Sequence, residues 1–166
     1  MTSDPDADPE NSQSAKDDSP RTWYSNTIWR KRQEDDDALF EVMSLQVFQA
    51  GLTWSMVLER RDAFRNAFRG WKVDEVSDMG PDAVDRLVED ASIIRNRRKI
   101  EACIANARSI QSLKTEHGSF CHWFYHVLPG NNLAELQAIL RKTFKFMGPE
   151  IARMWLLASG RLTGDE

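Results

Sequence analysis

The sequence predicts an all-α domain, and three observations carry that prediction. Apolar residues recur at steps of three and four along most of the chain. Glycine and proline separate these runs, twice as the pairs Gly80-Pro81 and Gly148-Pro149, where proline suits the first position of a helix. No segment alternates as a half-buried strand would, and no internal repeat is present.

Taken in order, structure is expected from about Thr22. Trp23, Tyr24 and Trp29 come first, then the basic run Arg30-Lys31-Arg32. The acidic run Glu34–Asp37 suits the first turn of a helix, where carboxylates complement the dipole. That helix continues through Leu39, Phe40, Val42, Met43, Val47 and Phe48 with a broad apolar face. Gly51 breaks it, and Thr53 can cap the next helix. Trp54, Val57, Leu58, Phe64 and Phe68 predict a helix that slips around Arg61 and ends at Gly70. Pro81 opens a short helix to about Ala91. A long helix follows from about Asn96 to Glu116, with Ile100, Cys103, Ile104, Ala107, Ile110 and Leu113 inward. Phe120–Leu128 reads as a short aromatic helix, Leu133–Leu140 as another, and Pro149 starts the last, with Ile151, Met154, Trp155 and Ala158 buried.

A chain of 166 residues predicts one domain, long enough to bury about 70% of its unfolded surface. The first twenty residues hold six acids against Lys16 alone and no aromatic, leucine or isoleucine, so residues 1–21 are expected to be a disordered acidic tail before a domain at 22–166. The whole chain has 22 basic and 26 acidic residues, and removing the first twenty leaves 21 against 20. The net charge of −4 therefore says little about the folded surface. Two cysteines make no disulfide framework, and no apolar run approaches the ~20 residues of a membrane span. A soluble cytoplasmic monomer without a membrane partner or cofactor is the expectation.

Two constellations point to chemistry. The segment Leu87–Ile100 is a short helix, a tight apolar turn and a helix that opens with Arg95, Arg97, Arg98 and Lys99. Free amides at a helix start suit an anion, and clustered cations attract phosphate. The arrangement fits a helix-hairpin-helix that holds a DNA backbone; from spacing alone, an ordinary hairpin with a solvated basic face fits better. The second is the aromatic set Trp23, Tyr24, Trp29 and Trp54, flat surfaces that could hold an extruded base or simply fill a core. Tyr24 and Trp54 lie at helix edges, which favours a pocket for them; Trp29 alone reads as core. The stretch Leu45–Trp54 then becomes the rim and floor of such a pocket.

Phe48-Gln49-Ala50-Gly51-Leu52-Thr53-Trp54, with Leu39-Phe40-Glu41 before it, resembles the 3-methyladenine DNA glycosylase I family. So do Leu87–Ile100, Asn106-Ala107 and Phe144-Lys145-Phe146-Met147-Gly148-Pro149, and the resemblance covers about residues 22–160. It implies a helix-hairpin-helix glycosylase that flips an alkylated adenine out of double-stranded DNA and hydrolyses its N-glycosidic bond. It implies that Tyr24 and Trp54 stack the base, that Trp29 lies beside the pocket, and that Gly51-Leu52 enters the vacated site. Ile94, Arg95, Arg97, Arg98 and Lys99 would hold the backbone. It implies no catalytic aspartate; Glu41, the nearest matched carboxylate, reads as exposed or structural.

The sequence departs from that family at three points. Gln46 stands where the resemblance implies a glutamate that reads the adduct. A carboxylate attracts a cationic base and only accepts hydrogen bonds, whereas an amide is neutral and does both. Ser25 stands where a zinc histidine would be, no cysteine precedes Trp23, and the distal cysteine–histidine pair is missing before Glu166, so no metal is expected. Cys121, His122 and His126 lack a fourth ligand and read as packing. The segment Phe120–Phe144 is also short, which implies a lower pocket wall open to bulkier adducts. A non-catalytic lesion- or DNA-binding protein of the same fold is the alternative.

Overall fold

A computed structural model describes residues 19–130 and 132–163. The expected acidic tail falls almost wholly outside them. The described residues are helical, with no strand. Ser19 caps α1 (Pro20–Thr27) by accepting from the Thr22 amide, so the first helix begins two residues before Thr22. Asp35 caps α2 (Asp36–Gln49), Thr53 caps α3 (Trp54–Leu58), and α4 (Arg61–Ala67) follows. A 3-10 turn at Arg69–Trp71 leads into α5 (Val73–Ser77). Pro81 opens α6 (Pro81–Val88), and Asn96 caps the long α7 (Arg97–His117). One turn, α8 (Phe120–His122), runs into a π-helical stretch at Trp123–Val127. Asn132 caps α9 (Leu133–Thr143), and α10 (Pro149–Ala158) ends the fold.

The helix expected over Trp54–Gly70 is two helices. The chain turns at Arg60 without a side-chain cap, which explains the slip in apolar spacing around Arg61. The short α5, absent from the sequence reading, packs against α7 more extensively than any other two elements pack among the described residues. Five residues are too few to show a helical period.

The core is organised on α2. All ten residues from Leu39 to Phe48 are buried, so the helix is enclosed on every side rather than apolar on one face. Phe48 stacks near Phe64 and Phe68, with ring centroids 4.6 and 5.9 Å away, and Phe68 lies parallel to Trp71 at 4.5 Å. The start of α2 fastens two other elements. Asp36 accepts from the Phe120 and Cys121 amides at 3.1 and 2.9 Å, and Asp37 from the Val73 amide at 2.9 Å. Asn106 of α7 grips the Lys145 backbone twice, accepting from its amide at 2.7 Å and donating to its carbonyl at 3.1 Å. That grip holds the Phe144–Pro149 loop, where Phe146 takes φ +55°. Both cysteines are free.

Phe48→Ala is expected to cost about 3–5 kcal/mol, the range for deleting a fully buried phenylalanine. Urea unfolding of the variant beside the parent measures it.

Candidate functional site

The end of α2 becomes a built joint because of three local choices. Gly51 takes φ +80°, a conformation that favours glycine, although a Cβ there would meet no atom within 4 Å. The loop closes on itself: the Leu52 amide donates to the Gln49 carbonyl and the Gln49 side-chain amide to the Leu52 carbonyl, both at 2.7 Å. Thr53 then caps α3 by accepting from the Met56 amide at 3.3 Å. Gly51 is left exposed and Leu52 half-buried beside Trp54, the first residue of α3.

Tyr24, Trp54 and Gln46 come together beside this joint. The Tyr24 and Trp54 rings are 4.9 Å apart and tilted by 33°, and Trp29 flanks Tyr24 at 6.3 Å. The Gln46 side-chain amide donates to the Tyr24 hydroxyl at 3.0 Å. Gln46 is 1% exposed, and its Oε1 has no partner. Burial pushes the Tyr24 phenol well above its ordinary value of 10.0, against a smaller lowering by the Gln46 hydrogen bond.

Trp23 leaves this group. It faces Arg61 and Arg65, whose guanidinium carbons lie 4.5 and 5.2 Å from its ring centroid. Arg65 also donates twice to Glu41, at 2.7 and 3.1 Å. Of the two expectations for Glu41, exposed or structural, the second holds: it is buried and paired with Arg65. No motif flagged this Trp23–Arg65–Glu41 chain, because its members lie on three helices.

The Leu87–Ile100 hairpin forms as a short helix, a tight turn and a long helix. Asp90 accepts from the Ser92 amide at 2.9 Å, and the Asn96 amide donates to the Ile94 carbonyl at 3.0 Å. Ile93 is buried and Ile94 half-buried, while Arg95, Arg97 and Arg98 are exposed. Arg97 is engaged by Asp85 at 2.8 Å and Glu101 at 3.7 Å, and the Arg98 guanidinium lies 5.8 Å from the Phe146 ring. Lys99 corrects the expectation of four outward cations. It is 5% exposed, and its ammonium donates to the Phe48 and Ala50 carbonyls at 2.8 and 2.7 Å. The signal was present: Lys99 is four residues before Cys103, on the stripe that faces the core.

A cleft of about 650 Å³ lies apart from the aromatic site, between α6, α7 and Phe146. No group of three or more His, Cys, Asp or Glu among the described residues could hold a metal. Arg32 donates to Nε2 of His126 at 2.7 Å, which occupies that nitrogen. Among the described residues no helix is long and apolar enough to cross a membrane.

A family model for methyladenine glycosylase matches residues 14–142. The chain belongs to the methyladenine glycosylase family. It is 31% identical over 155 residues to DNA-3-methyladenine glycosylase 1 of Escherichia coli K12, covering 82% of this chain and 83% of that one. It is 30% identical to the DNA-3-methyladenine glycosylase of Haemophilus influenzae Rd, covering 72% and 67%. A crystal structure of a 3-methyladenine DNA glycosylase I superimposes with a TM-score of 0.78 at 28% identity, over 89% of this chain and 91% of that one. A second, that enzyme from Staphylococcus aureus, gives 0.78 at 25% identity over 89% and 88%. The fold is that of these DNA glycosylases, and so is the enzyme class of the chain.

Tyr24 sets a pH dependence. Its folded pKa is raised, so its contribution to stability is fully present below the ordinary value of 10.0 and is lost as pH rises above it. Ultraviolet difference titration is expected to show Tyr24 still protonated where an exposed tyrosine has ionised. Tyr24→Phe leaves both polar atoms of the Gln46 amide unpaired, with an expected cost of about 1–3 kcal/mol in denaturant unfolding.

Proposed function

We propose that this chain is a monofunctional glycosylase that releases 3-methyladenine-like adducts from duplex DNA after flipping the base. The observation that carries the reading is the buried Gln46 Oε1 without a partner, set beside the Tyr24–Trp54 ring pair at the Gly51–Leu52 joint. A buried acceptor left open loses about 1–3 kcal/mol until a donor reaches it, and the amino edge of an adenine adduct is such a donor. Family membership and the named relatives supply the substrate class.

The ring pair sets how a base is held. At 4.9 Å the rings touch, whereas a base between them needs about 7 Å, two van der Waals spacings. Parting the rings forfeits about 0.5–1.5 kcal/mol. Stacking a base on an aromatic face returns about 1–3 kcal/mol, so capture outweighs opening. In this reading Trp54 and Tyr24 close on the base, Trp29 backs Tyr24, and Leu52 fills the gap left in the duplex. Arg95, Arg98 and the Ile94 turn hold the strand beside it, with Arg97 shared between the strand and Asp85.

An N3-alkylated adenine departs as a neutral base, so its leaving does not need a proton from the protein. The site then acts by holding the base out and excluding its return to the stack. Water is the acceptor: the ammonium of Lys99 is occupied by two backbone carbonyls. Gln46 changes selectivity rather than chemistry. An ionised acceptor makes a hydrogen bond about twice as strong as a neutral one, so an amide discriminates less for a cationic adduct.

Base release from methylated duplex is the direct test. Release of 3-methyladenine or of a bulkier alkyl adduct is expected, and failure to free either sinks the enzyme reading in favour of a lesion-binding protein. Gln46→Glu is expected to raise 3-methyladenine release by about tenfold, the scale of one strengthened hydrogen bond. Single-turnover rates with matched 3-methyladenine and bulkier substrates measure the change in preference.

A further inference from the structure

Lys99 is the buried charge that the proposed reading leaves unused. Among the described residues it joins no ion pair, yet it is 5% exposed, beside three exposed arginines on the same hairpin. Its ammonium is held by the carbonyls of Phe48 and Ala50 at 2.8 and 2.7 Å. These carbonyls belong to the end of α2, where helix groups lack intrahelical partners and the dipole is negative. Ala50 is the residue before Gly51, and Gly51 has no side chain with which to fix its own direction. The other hydrogen bonds of the loop join Gln49 to Leu52, closing it on itself, and Thr53 to the start of α3; none of them reaches the hairpin. Lys99 therefore fastens the joint to the start of α7.

We infer that Lys99 is a positioning residue for Gly51-Leu52, fixing the height and direction of Leu52 from inside the hairpin and making no contact with DNA. The inference rests on the proposed entry of Leu52 into DNA. It assigns two jobs to one turn of α7: Arg98 faces the strand while Lys99 holds the probe that enters it. An arginine or lysine bound to phosphate would be exchangeable with solvent cations, whereas a buried ammonium bound to carbonyls would not.

The test combines Lys99→Met and Leu52→Ala, singly and together, on duplex carrying an abasic-site analogue, with Arg98→Ala as the phosphate control. Lys99→Met is expected to weaken binding by about tenfold, the scale of one charge-assisted hydrogen bond. The double variant should bind no worse than Leu52→Ala alone, because the two changes remove one function. The slope of log affinity against log salt should stay unchanged in Lys99→Met and fall by about one in Arg98→Ala. A fall of about one in Lys99→Met would make it a phosphate ligand, and additive losses would confine it to general stability; either overturns the inference. Lys99→Gln, which keeps one donor to the carbonyls, takes the place of Lys99→Met if that variant does not fold. Hydrogen exchange on the free protein separates the clamp from the DNA reading. The Leu52 amide should exchange faster by about tenfold in Lys99→Met while amides beyond Ile104 in α7 keep their rates. Unchanged Leu52 exchange overturns the clamp whether or not DNA binds. A parent protein that does not prefer the abasic duplex to an intact one removes the DNA reading instead.

Discussion

A helix buried on every side imposes a constraint that the rest of this molecule answers. From Leu39 to Phe48, α2 has no solvent-facing side. Each of its polar side chains and the free carbonyls at its end must find partners on other elements, since an unmet buried group costs about 1–3 kcal/mol. Arg65 of α4 meets Glu41, Tyr24 of α1 meets half of Gln46, and Lys99 of α7 meets the terminal carbonyls. Asp36 and Asp37, at the start, work in the other direction and cap Phe120, Cys121 and Val73. The candidate site is therefore no appendage to the fold. It is one of two places where satisfaction of α2 is left incomplete, the other being the buried Ser44 hydroxyl.

That incompleteness explains how glutamine suits position 46. A carboxylate at 1% exposure, beside the Tyr24 phenol, would carry a large desolvation cost in the free protein. An amide carries a smaller one and already donates to Tyr24. The free site is easier to fold with glutamine. On the proposed function, the same neutrality weakens the pull on a cationic base, so that stability and selectivity trade through a single functional group.

Much of this was legible in the chain. Thr53 and the Gly-Pro pairs start helices as their chemistry requires. The apolar stripe of α7 is buried as its spacing indicates except at half-buried Leu113, whereas in α10 Trp155 and Ala158 are buried but Ile151 and Met154 only half-buried. Gly51 was readable as a break because its conformation needs glycine. The division at Arg60 and the short α5 were not, because tertiary packing sets them and short segments carry no period. Tyr24 and Trp54 were readable as pocket candidates from their places at helix edges, but the role given to Gln46 beside them came only through a family pattern. Lys99 hid among Arg95, Arg97 and Arg98, since four neighbouring cations look alike until helix phase is applied to each.

The chemistry left to such a site is narrow. Among the buried polar residues described, Glu41 is the only acid, and Arg65 holds both of its oxygens. A neutral purine leaves as an anion unless it is protonated, so its release asks for an acid that these residues do not provide. A purine made cationic by alkylation has brought the activation with it. The proposed release of an alkylated purine thus asks no proton of the buried residues described around α2. On the proposed function, Tyr24, Gln46 and Trp54 need only decide among bases that are already primed to depart.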